Sequence, residues 1–544
     1  MNWRGLLALL CGLAVAPAAQ AEWLEAKSRH FTLYSNTSEK VLRRQSEALE
    51  RLDWGLRRFL KVADEPEIES RKVTVFLVDD ADVKRLCRCT NAAGFYFSRV
   101  SGSTAYSAKG GWTEYNDWGR IVLFHEYAHH FLLGTYDIAF PAWYSEGFAE
   151  FASTMRITEE NATIGYAAQH RAYGLMQGER LSARQMFDPV RKSGMDMDAF
   201  YGRGWLMTHY FSFDGERSAQ FLSYLKALNQ GTGSVAAAEQ TFGDLKLLDR
   251  KLSGYLNQRR MLGLTMPFAG TQTPPIVIRR LSEGEADMID LRMQSLRGVD
   301  RESGRKLYAK AAPIGTRHAD DPVVQGWLAE MAFDAGEDDA ALAAAQKAVA
   351  RDPKSVQALL YQGRVKLRQL GQAKSTDPKA WNAARASIVK ANRADPDDAE
   401  PLWWFWQSFI LQGIEPTPSA IKGLHRAQEL APQDNYVRFA AAMARIGAGE
   451  IPAAQQLLRP LAYNPHAGVD NPSSRVLAAL EAGLKGEEAI AAGAGAANGE
   501  EESAGEKRTW RLLADDDGGG ALDQPPFSRN SVRVRSRASS ADGS

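Results

Sequence analysis

The sequence predicts a chain of two unlike parts, a mixed α/β half with metal-binding helices followed by an all-α half of repeated helical hairpins. Up to about residue 265, strand-like runs alternate with amphipathic helical patterns. Within this half two histidines stand four positions apart on a predicted helix, a spacing that can direct both at one metal ion. Beyond about residue 300, small residues and prolines recur at fixed offsets, which indicates a helical repeat.

Length and charge narrow the class of protein. The 544 residues are enough for two or three domains. The 66 basic and 66 acidic side chains cancel, so charge favours neither nucleic acid nor a membrane surface as a partner. After the N-terminal segment, no run is long and apolar enough to span a bilayer. We therefore expect a mature chain without a membrane span and without a nucleic-acid partner.

The first 21 residues are typical of a secretory signal peptide. Arg4 supplies the positive region, Leu6 to Ala16 the apolar region, and Ala19-Gln20-Ala21 a cleavage site of small residues. The apolar run is too short for a membrane helix. We expect cleavage after Ala21 and a mature protein that is periplasmic or secreted.

The next segment predicts the elements of a mixed sheet. His30 to Ser35 alternates like a strand, and Thr37 to Val62 has leucines near one helical face. Lys72 to Val78 is a more buried strand. Gly94 to Phe97 and Ser103 to Tyr106 are predicted to form a hairpin or an edge pair.

The chemical centre of the sequence is His125-Glu126-Tyr127-Ala128-His129. Positions four apart share a helix face, so His125 and His129 can direct two imidazoles at one metal ion. Glu126 stands beside the first histidine, where it can act on a metal-bound water. Asn116 or Asp117 can cap this helix. The pattern is the HExxH arrangement of zinc hydrolases.

A catalytic zinc usually takes three protein ligands and leaves a fourth position for water. The segment from Trp143 to Phe151 resembles the second-helix motif of the gluzincin metallopeptidases, and its distance from His129 is similar to that in bacterial peptidase MA-like domains. The resemblance implies Glu146 as the third ligand and Glu150 as the acid that braces a ligand histidine. It also implies a zincin-like fold for residues 22–265.

The same resemblance implies Zn²⁺-dependent hydrolysis of a peptide or protein substrate, with Glu126 as the general base. Zinc peptidases often use a tyrosine or histidine to stabilise the oxyanion, and Tyr201 is the first candidate, with His209 or Tyr210 in reserve. In gluzincins an edge strand lies above the metal and pairs with extended substrate. Ala93 to Ala108 is in the corresponding position, although an ordinary sheet strand is an equal alternative.

Four nearby residues are interpreted without a role in the metal site. His130 is about 140° round the helix from His125, so we expect a packed or exposed neighbour. Asp137 is interpreted as a turn residue. Cys87 and Cys89 can form a small strained ring, pair with an external thiol or stay reduced, and two thiolates alone do not complete a zinc site.

The second half contains an internal repeat. Gly336, Ala341, Ala348 and Pro353 are separated by five, seven and five positions, and the last two offsets recur in two further copies, at Ala384, Ala391 and Pro396 and at Ala420, Ala427 and Pro432. A fourth, decayed copy is expected from Tyr436 to about Pro465. The offsets resemble the tetratricopeptide repeat, whose small residues let paired helices approach closely. The alternative is a generic alanine-rich helical domain.

The remaining boundaries come from composition. Residues 266–300 are interpreted as a linker or transition, 301–482 as the tetratricopeptide-like repeats and 483–544 as a disordered tail. We expect the first half to fold and react by itself, and the repeats to recruit substrate or a protein partner. The leading hypothesis is thus a secreted or periplasmic zinc peptidase. The alternative is a non-catalytic envelope scaffold built on a zincin fold and helical repeats.

Overall fold

The structure is a computed structural model, and it describes residues 22–63, 71–90, 92–189, 194–270, 273–464, 467–468 and 470–493. The segment interpreted as a signal peptide lies outside the described residues, and so do residues 494–544 of the segment interpreted as a tail. Among the helices in the described ranges, none has the length and hydropathy needed to cross a membrane.

The described strands form two sheets. They are β1 (Leu24–Lys27), β2 (Phe31–Ser35), β3 (Val73–Val78), β4 (Gly94–Phe97), β5 (Ser103–Ala108), β6 (Arg156–Ile157), β7 (Asn161–Ile164), β8 (Leu264–Pro267) and β9 (Val277–Arg280). The larger sheet has the order β4-β5-β3-β2-β1-β9, and the smaller has the order β6-β7-β8.

The helices of the first half are α1 (Glu39–Leu60), α2 (Asp80–Cys87), α3 (Trp118–Thr135), α4 (Ala142–Ser153), α5 (Ala172–Met176), α6 (Ala183–Phe187), α7 (Met197–Ser212), α8 (Gly215–Asn229), α9 (Ser234–Phe242) and α10 (Leu245–Leu256). A short 3₁₀ turn over Gln169–Arg171 precedes α5.

The helices that follow are α11 (Glu283–Arg297), α12 (Arg301–Arg317), α13 (Pro322–Ala335), α14 (Asp338–Arg351), α15 (Val356–Gln372), α16 (Pro378–Ala394), α17 (Ala399–Gln412), α18 (Pro418–Leu430), α19 (Asn435–Gly447), α20 (Ile451–Ala462), α21 (Pro472–Glu481) and α22 (Gly486–Gly493).

The larger sheet is mixed, as the sequence predicts. Strands β2, β3 and β5 run parallel, whereas β4 pairs antiparallel with β5 and β1 antiparallel with β2. The predicted hairpin is confirmed as β4–β5, and β4 is an edge strand of this sheet. Helix α1 packs on the sheet through Leu42, Leu49, Leu52 and Leu56, all fully buried. The sheet and α1 therefore share one apolar core.

Helix α3 begins directly after a side chain that caps its N-terminus. The Asp117 side chain accepts a hydrogen bond from the Arg120 backbone N–H, which decides between the two predicted caps.

Helix α4 crosses α7 at a pair of glycines. A Cβ atom on Gly147 would lie 2.3 Å from the Gly204 carbonyl oxygen, so only glycine permits this approach. The close crossing brings the middle of α7 beside α4.

The second half consists of helical hairpins, as predicted. Helices α13–α14, α15–α16 and α17–α18 form successive pairs, and α19–α20 occupy the place of the decayed copy. The repeated alanines at positions 341, 348, 384, 391, 420 and 427 are fully buried. Small side chains at these positions let the paired helices approach, which accounts for their fixed spacing. The helical-repeat part of the prediction is confirmed.

Residues 266–300, which were interpreted as a linker or transition, contribute a strand and a helix to the first half. Strand β9 pairs with β1 at the edge of the larger sheet. Helix α11 covers the sheet, where the Tyr106 hydroxyl donates a buried hydrogen bond of 2.7 Å to the Met293 carbonyl. Met288 of α11, Trp327 of α13 and Phe76 of β3 lie in one core cluster. Residues beyond 265 therefore share a sheet and a core cluster with the first half.

A second junction joins helices α18 and α19 to helix α3 and the β4–β5 hairpin. Arg71 donates hydrogen bonds to the carbonyls of Gly134 at 2.8 Å and Glu429 at 2.7 Å. The Gln433 amide donates to the Ser103 hydroxyl. Asp137, which follows α3, forms a 2.9 Å ion pair with Arg438. The two halves thus meet beside the elements that carry the predicted ligands.

Two further expectations are revised by the fold. The interpretation of residues 483–544 as disordered is wrong for α22, because Ala489 and Ile490 are buried there. Cys87 and Cys89 are joined in a disulfide with 5.2 Å between their Cα atoms, so the structure selects one of the three open alternatives.

Candidate metal centre

Three predicted ligands converge between α3 and α4. His125 Nε2 and His129 Nε2 are 3.1 Å apart. Glu146 Oε2 lies 3.4 Å from each of these nitrogens. Within the described part of the chain, these residues form the one group of three or more His, Cys, Asp and Glu side chains close enough to share an ion.

The triangle of donor atoms fits a tetrahedral zinc ion. Bonds of about 2.0–2.2 Å from such an ion place neighbouring ligand atoms about 3.3–3.6 Å apart. The observed separations of 3.1, 3.4 and 3.4 Å are close to this range. Two imidazole nitrogens and one carboxylate oxygen are also a donor set that catalytic zinc takes. The residues present therefore fit zinc.

Burial and charge make the cluster attractive to a cation. Glu146 is 1 % exposed, and although burial raises the pKa of its carboxyl, His129 and His125 hold that pKa well below its usual range. Burial lowers the pKa of His125, but Glu146 and Glu150 together raise it to about 10. The two carboxylates therefore place negative charge at a site from which water is largely excluded.

Glu150 lies behind His125, one of the predicted ligands. Its Oε1 is 3.2 Å from His125 Nδ1, the ring nitrogen that does not face the other ligands. His170 Nε2 is 2.6 Å from Glu150 Oε2, and the Arg171 guanidinium donates to Glu150 Oε1 at 2.7 Å. An acid in this position fixes the tautomer and the orientation of a ligand imidazole.

His129, the other histidine predicted as a ligand, has a partner as well. Ser145 Oγ is 3.3 Å from His129 Nδ1, and Ser145 directly precedes Glu146 on α4. Each imidazole of the triangle therefore has one nitrogen at the centre and the other beside a polar side chain. Such partners restrict rotation of the rings.

Glu126 is half-buried on α3, next to the first ligand. Burial raises the pKa of the Tyr96 hydroxyl, and the Glu126 carboxylate acts in the same direction. Tyr96 belongs to β4, and its hydroxyl lies 2.8 Å from Nδ1 of His130, which is four positions from Glu126 and shares its helix face. Glu126 therefore lies on the side of α3 toward the edge strand.

Of the three candidates on α7, only Tyr201 is in ring contact with a ligand among the described contacts. Its ring lies 6.2 Å from the His125 ring at 89°. His209 is fully buried elsewhere, with its ring nitrogens 2.8 Å from the Tyr255 hydroxyl and 3.0 Å from the Gly165 carbonyl. Tyr210 also packs against Tyr255. His209 and Tyr210 therefore serve the core rather than the centre.

His130 and Asp137 do not join the ligand cluster. His130 Nδ1 is 2.8 Å from the Tyr96 hydroxyl, and burial lowers the pKa of His130 to about 3. Asp137 pairs with Arg438. The helix geometry used for His130 thus gave the correct side of α3.

Sequence reasoning missed Ser145, His170 and Arg171. Ser145 could have been found, because it neighbours a predicted ligand on a predicted helix. His170 and Arg171 lie on the 3₁₀ turn, 20 and 21 positions after Glu150. No periodicity or motif connects that turn to the metal helices, so only the fold reveals the contact.

Comparisons with known proteins add the following. No protein-family model matches the chain, and no curated protein matches it. TTC0263, a thermophilic TPR protein of Thermus thermophilus, is similar at 18 % identity and a TM-score of 0.29 over 37 % of this chain and 100 % of that one. The MamA RS-1 ArsTM double mutant is similar at 14 % identity and a TM-score of 0.25, over 34 % of this chain and 95 % of that one.

Proposed function

We propose that the chain is a zinc-dependent hydrolase that cleaves peptide bonds, with a helical half that recruits substrate or a protein partner. The observation that carries this proposal is the donor triangle of His125, His129 and Glu146, with Glu126 next to it on α3. Metal-assisted hydrolysis needs both parts, since an ion alone has no proton acceptor.

The surrounding fold supports a zincin-like assignment for the first half. A mixed sheet with an edge hairpin is followed by α3, which carries two ligands, and α4, which carries the third. Strand β4 is a terminal strand of the larger sheet, and such an edge suits an extended peptide that adds as a further strand. Glu126, on the side of α3 toward this strand, would then lie near the scissile bond.

In the proposed mechanism His125, His129 and Glu146 would hold zinc, which would supply a Lewis acid for the scissile carbonyl and for the attacking water. Glu126 accepts a proton from that water and passes it to the leaving amine. Tyr201 donates a hydrogen bond to the oxyanion that develops on the carbonyl. Glu150 holds the His125 imidazole in the tautomer whose Nε2 is free to bind the ion.

We also propose that the protein works outside the cytoplasm. The sequence of residues 1–21 supports export. The Cys87–Cys89 disulfide supports an oxidising compartment, because such bonds are rare where glutathione keeps thiols reduced.

A second candidate function is a protein-binding scaffold whose first half does not catalyse. The observation that favours it is the run of stacked hairpins from α13 to α20, since helical repeats offer extended surfaces to partners. The scaffold has no chemical need for Glu126 beside a complete ligand set, so the hydrolase is the better supported of the two.

Metal content and hydrolysis measured on one preparation test the proposal. We expect about one zinc per chain and cleavage of a fluorogenic peptide mixture. Chelation should abolish cleavage, and added zinc should restore it. A full chain that binds zinc but cleaves no peptide would favour the scaffold, and a chain that binds no zinc would contradict the proposed centre.

A further inference from the structure

Arg171 contacts three side chains beside the metal cluster. Its guanidinium donates to Glu150 Oε1 from Nη2 at 2.7 Å and from Nε at 3.1 Å. Nη1 donates to Asp198 Oδ1 at 3.0 Å. The same guanidinium carbon lies 4.7 Å from the ring centroid of Tyr201. One planar cation thus contacts two carboxylates and an aromatic ring.

The backbone around Arg171 is tightly packed. The Asp198 carboxylate also accepts a 2.8 Å hydrogen bond from the Gly174 backbone N–H. A Cβ atom on Gly174 would lie 2.4 Å from the Asp198 carbonyl carbon. The turn that carries Arg171 is therefore held against the N-terminal part of α7. Tyr201 belongs to the same helix. Its guanidinium has little freedom to leave this position.

Two of the residues that Arg171 contacts, Glu150 and Tyr201, lie beside the same histidine, His125. Glu150 Oε1, the oxygen that Arg171 binds, is 3.2 Å from His125 Nδ1. Tyr201, the ring that Arg171 covers, is 6.2 Å from the His125 ring. Arg171 thereby connects the acid behind the ligand to the aromatic ring beside the ligand.

We infer that Arg171 is a positioning residue, which holds His125, through Glu150, and Tyr201 in one fixed arrangement. The inference rests on the proposed function, because it concerns the ligand and the oxyanion donor of that site. An arginine can bind a carboxylate through two N–H groups while its flat face covers an aromatic ring. A lysine places a point charge at one of these partners only, so charge alone does not replace Arg171.

Arg217 of α8 supplies a matched control, because it also covers a tyrosine of α7. Arg217 stacks on Tyr210 with its guanidinium carbon 4.2 Å from the ring centroid. Tyr210 packs against Tyr255 rather than a ligand. Arg217→Met therefore removes a comparable cation–aromatic contact at the other end of α7. If Arg171 contributed only to stability, the two substitutions would have similar consequences.

The experiment compares Arg171→Lys, Arg171→Met, Tyr201→Phe and Arg217→Met in the full chain. Zinc affinity is measured by chelator competition, the ligand geometry by the visible spectrum after cobalt substitution, and turnover with a fluorogenic peptide. We expect both Arg171 variants to lose about 10-fold or more in zinc affinity or kcat, as is typical when a partner of a ligand is removed. KM should change little, and the cobalt spectrum should shift. Arg217→Met should leave all four quantities unchanged.

The double variant Arg171→Met/Tyr201→Phe tests the connection between the two residues. If Arg171 acts on turnover through Tyr201, the double variant should lose less than the product of the two single losses. Should Arg171→Met fail to fold, Asp198→Asn removes the second partner of Arg171 without touching Glu150. It should change the cobalt spectrum and kcat in the same direction by a smaller factor.

The failures are distinguishable. A wild-type chain that binds no zinc contradicts the proposed function itself. If the wild-type chain binds zinc and cleaves peptide while Arg171→Lys keeps its affinity, spectrum and kcat, Arg171 is not a positioning residue. Losses that multiply independently in the double variant would overturn the connection to Tyr201.

Discussion

Glu150 Oε1 lies 3.2 Å from His125 Nδ1, and both residues are largely buried between α3 and α4. The same carboxylate pairs with His170 and Arg171, so the charge behind the ligand is shared by three groups. This arrangement makes Glu150 the residue that determines how His125 presents its other nitrogen.

Glu150→Gln removes the negative charge behind His125 and keeps the shape of the side chain. We expect zinc affinity to fall by about 10- to 100-fold, because a neutral amide holds the imidazole less firmly. Chelator competition measures the change. Glu216→Gln, on the exposed first turn of α8, is the matched control and should bind zinc as the wild-type chain does. Unchanged affinity in Glu150→Gln would mean that Glu150 serves stability only.

His129→Ala and His130→Ala separate a ligand from its neighbour. His129→Ala should abolish stoichiometric zinc, since Nε2 of that ring is one corner of the donor triangle. His130→Ala should keep most of the zinc but lower the melting temperature, because Tyr96 loses a buried partner at a cost of about 1–3 kcal/mol. Elemental analysis and thermal unfolding of both variants test this. Equal zinc loss in both would refute the ligand assignment.

A chain truncated after Pro267 lacks β9 and α11. We expect it to be insoluble or free of zinc, because the β1 edge loses its partner strand and Phe76 and Tyr106 lose their cover. A chain truncated after Gly493 keeps every described contact and is the control. Zinc content and cooperativity of unfolding are measured for both. A soluble, zinc-loaded chain ending at Pro267 would restore the view of two independent halves.

The helical half should become less stable as pH rises through neutrality. Burial raises the pKa of Asp334 to about 7, and the neighbouring Glu330 acts in the same direction. In the unfolded chain the same carboxyl titrates near 3.8. The folded state therefore binds the proton more tightly between these values, and the stability present below about pH 4 is lost as pH rises through 7.

Asp334→Asn stays neutral and should remove this loss. We expect its melting temperature to exceed that of the wild-type chain by about 2–4 °C at pH 8, the shift that about 1 kcal/mol gives, and by less at pH 4. Asp339→Asn, exposed on α14, should leave the pH dependence as it is. An identical pH dependence of Asp334→Asn and the wild-type chain would contradict the role of burial.

The parts of the fold that sequence could predict depend on local spacing. The four-residue interval between His125 and His129 specifies one helix face, and the seven-residue interval between Ala341 and Ala348 marks a helix contact. Both rules act within one or two helices. They need no knowledge of which distant segments meet.

The parts that sequence could not predict depend on distant pairing. Arg279 of β9 binds Glu25 of β1 at 2.8 Å, yet 254 positions separate them. The stretch just before β9, from Pro267 to Pro275, is rich in proline and threonine and is typical of a linker. Arg171 reaches Glu150 from a turn without a motif. Composition also misled for α22, because Ala489 and Ile490 are buried by neighbouring helices although their segment is rich in alanine and glycine.

We propose that Glu126 moves the proton in a zinc-dependent hydrolysis, and Glu126→Gln tests this role most directly. The amide keeps the size of the side chain but cannot accept the proton from water. We expect the variant to retain about one zinc per chain while peptide hydrolysis falls by about 100-fold or more. Zinc at the wild-type level with undiminished hydrolysis would contradict the account.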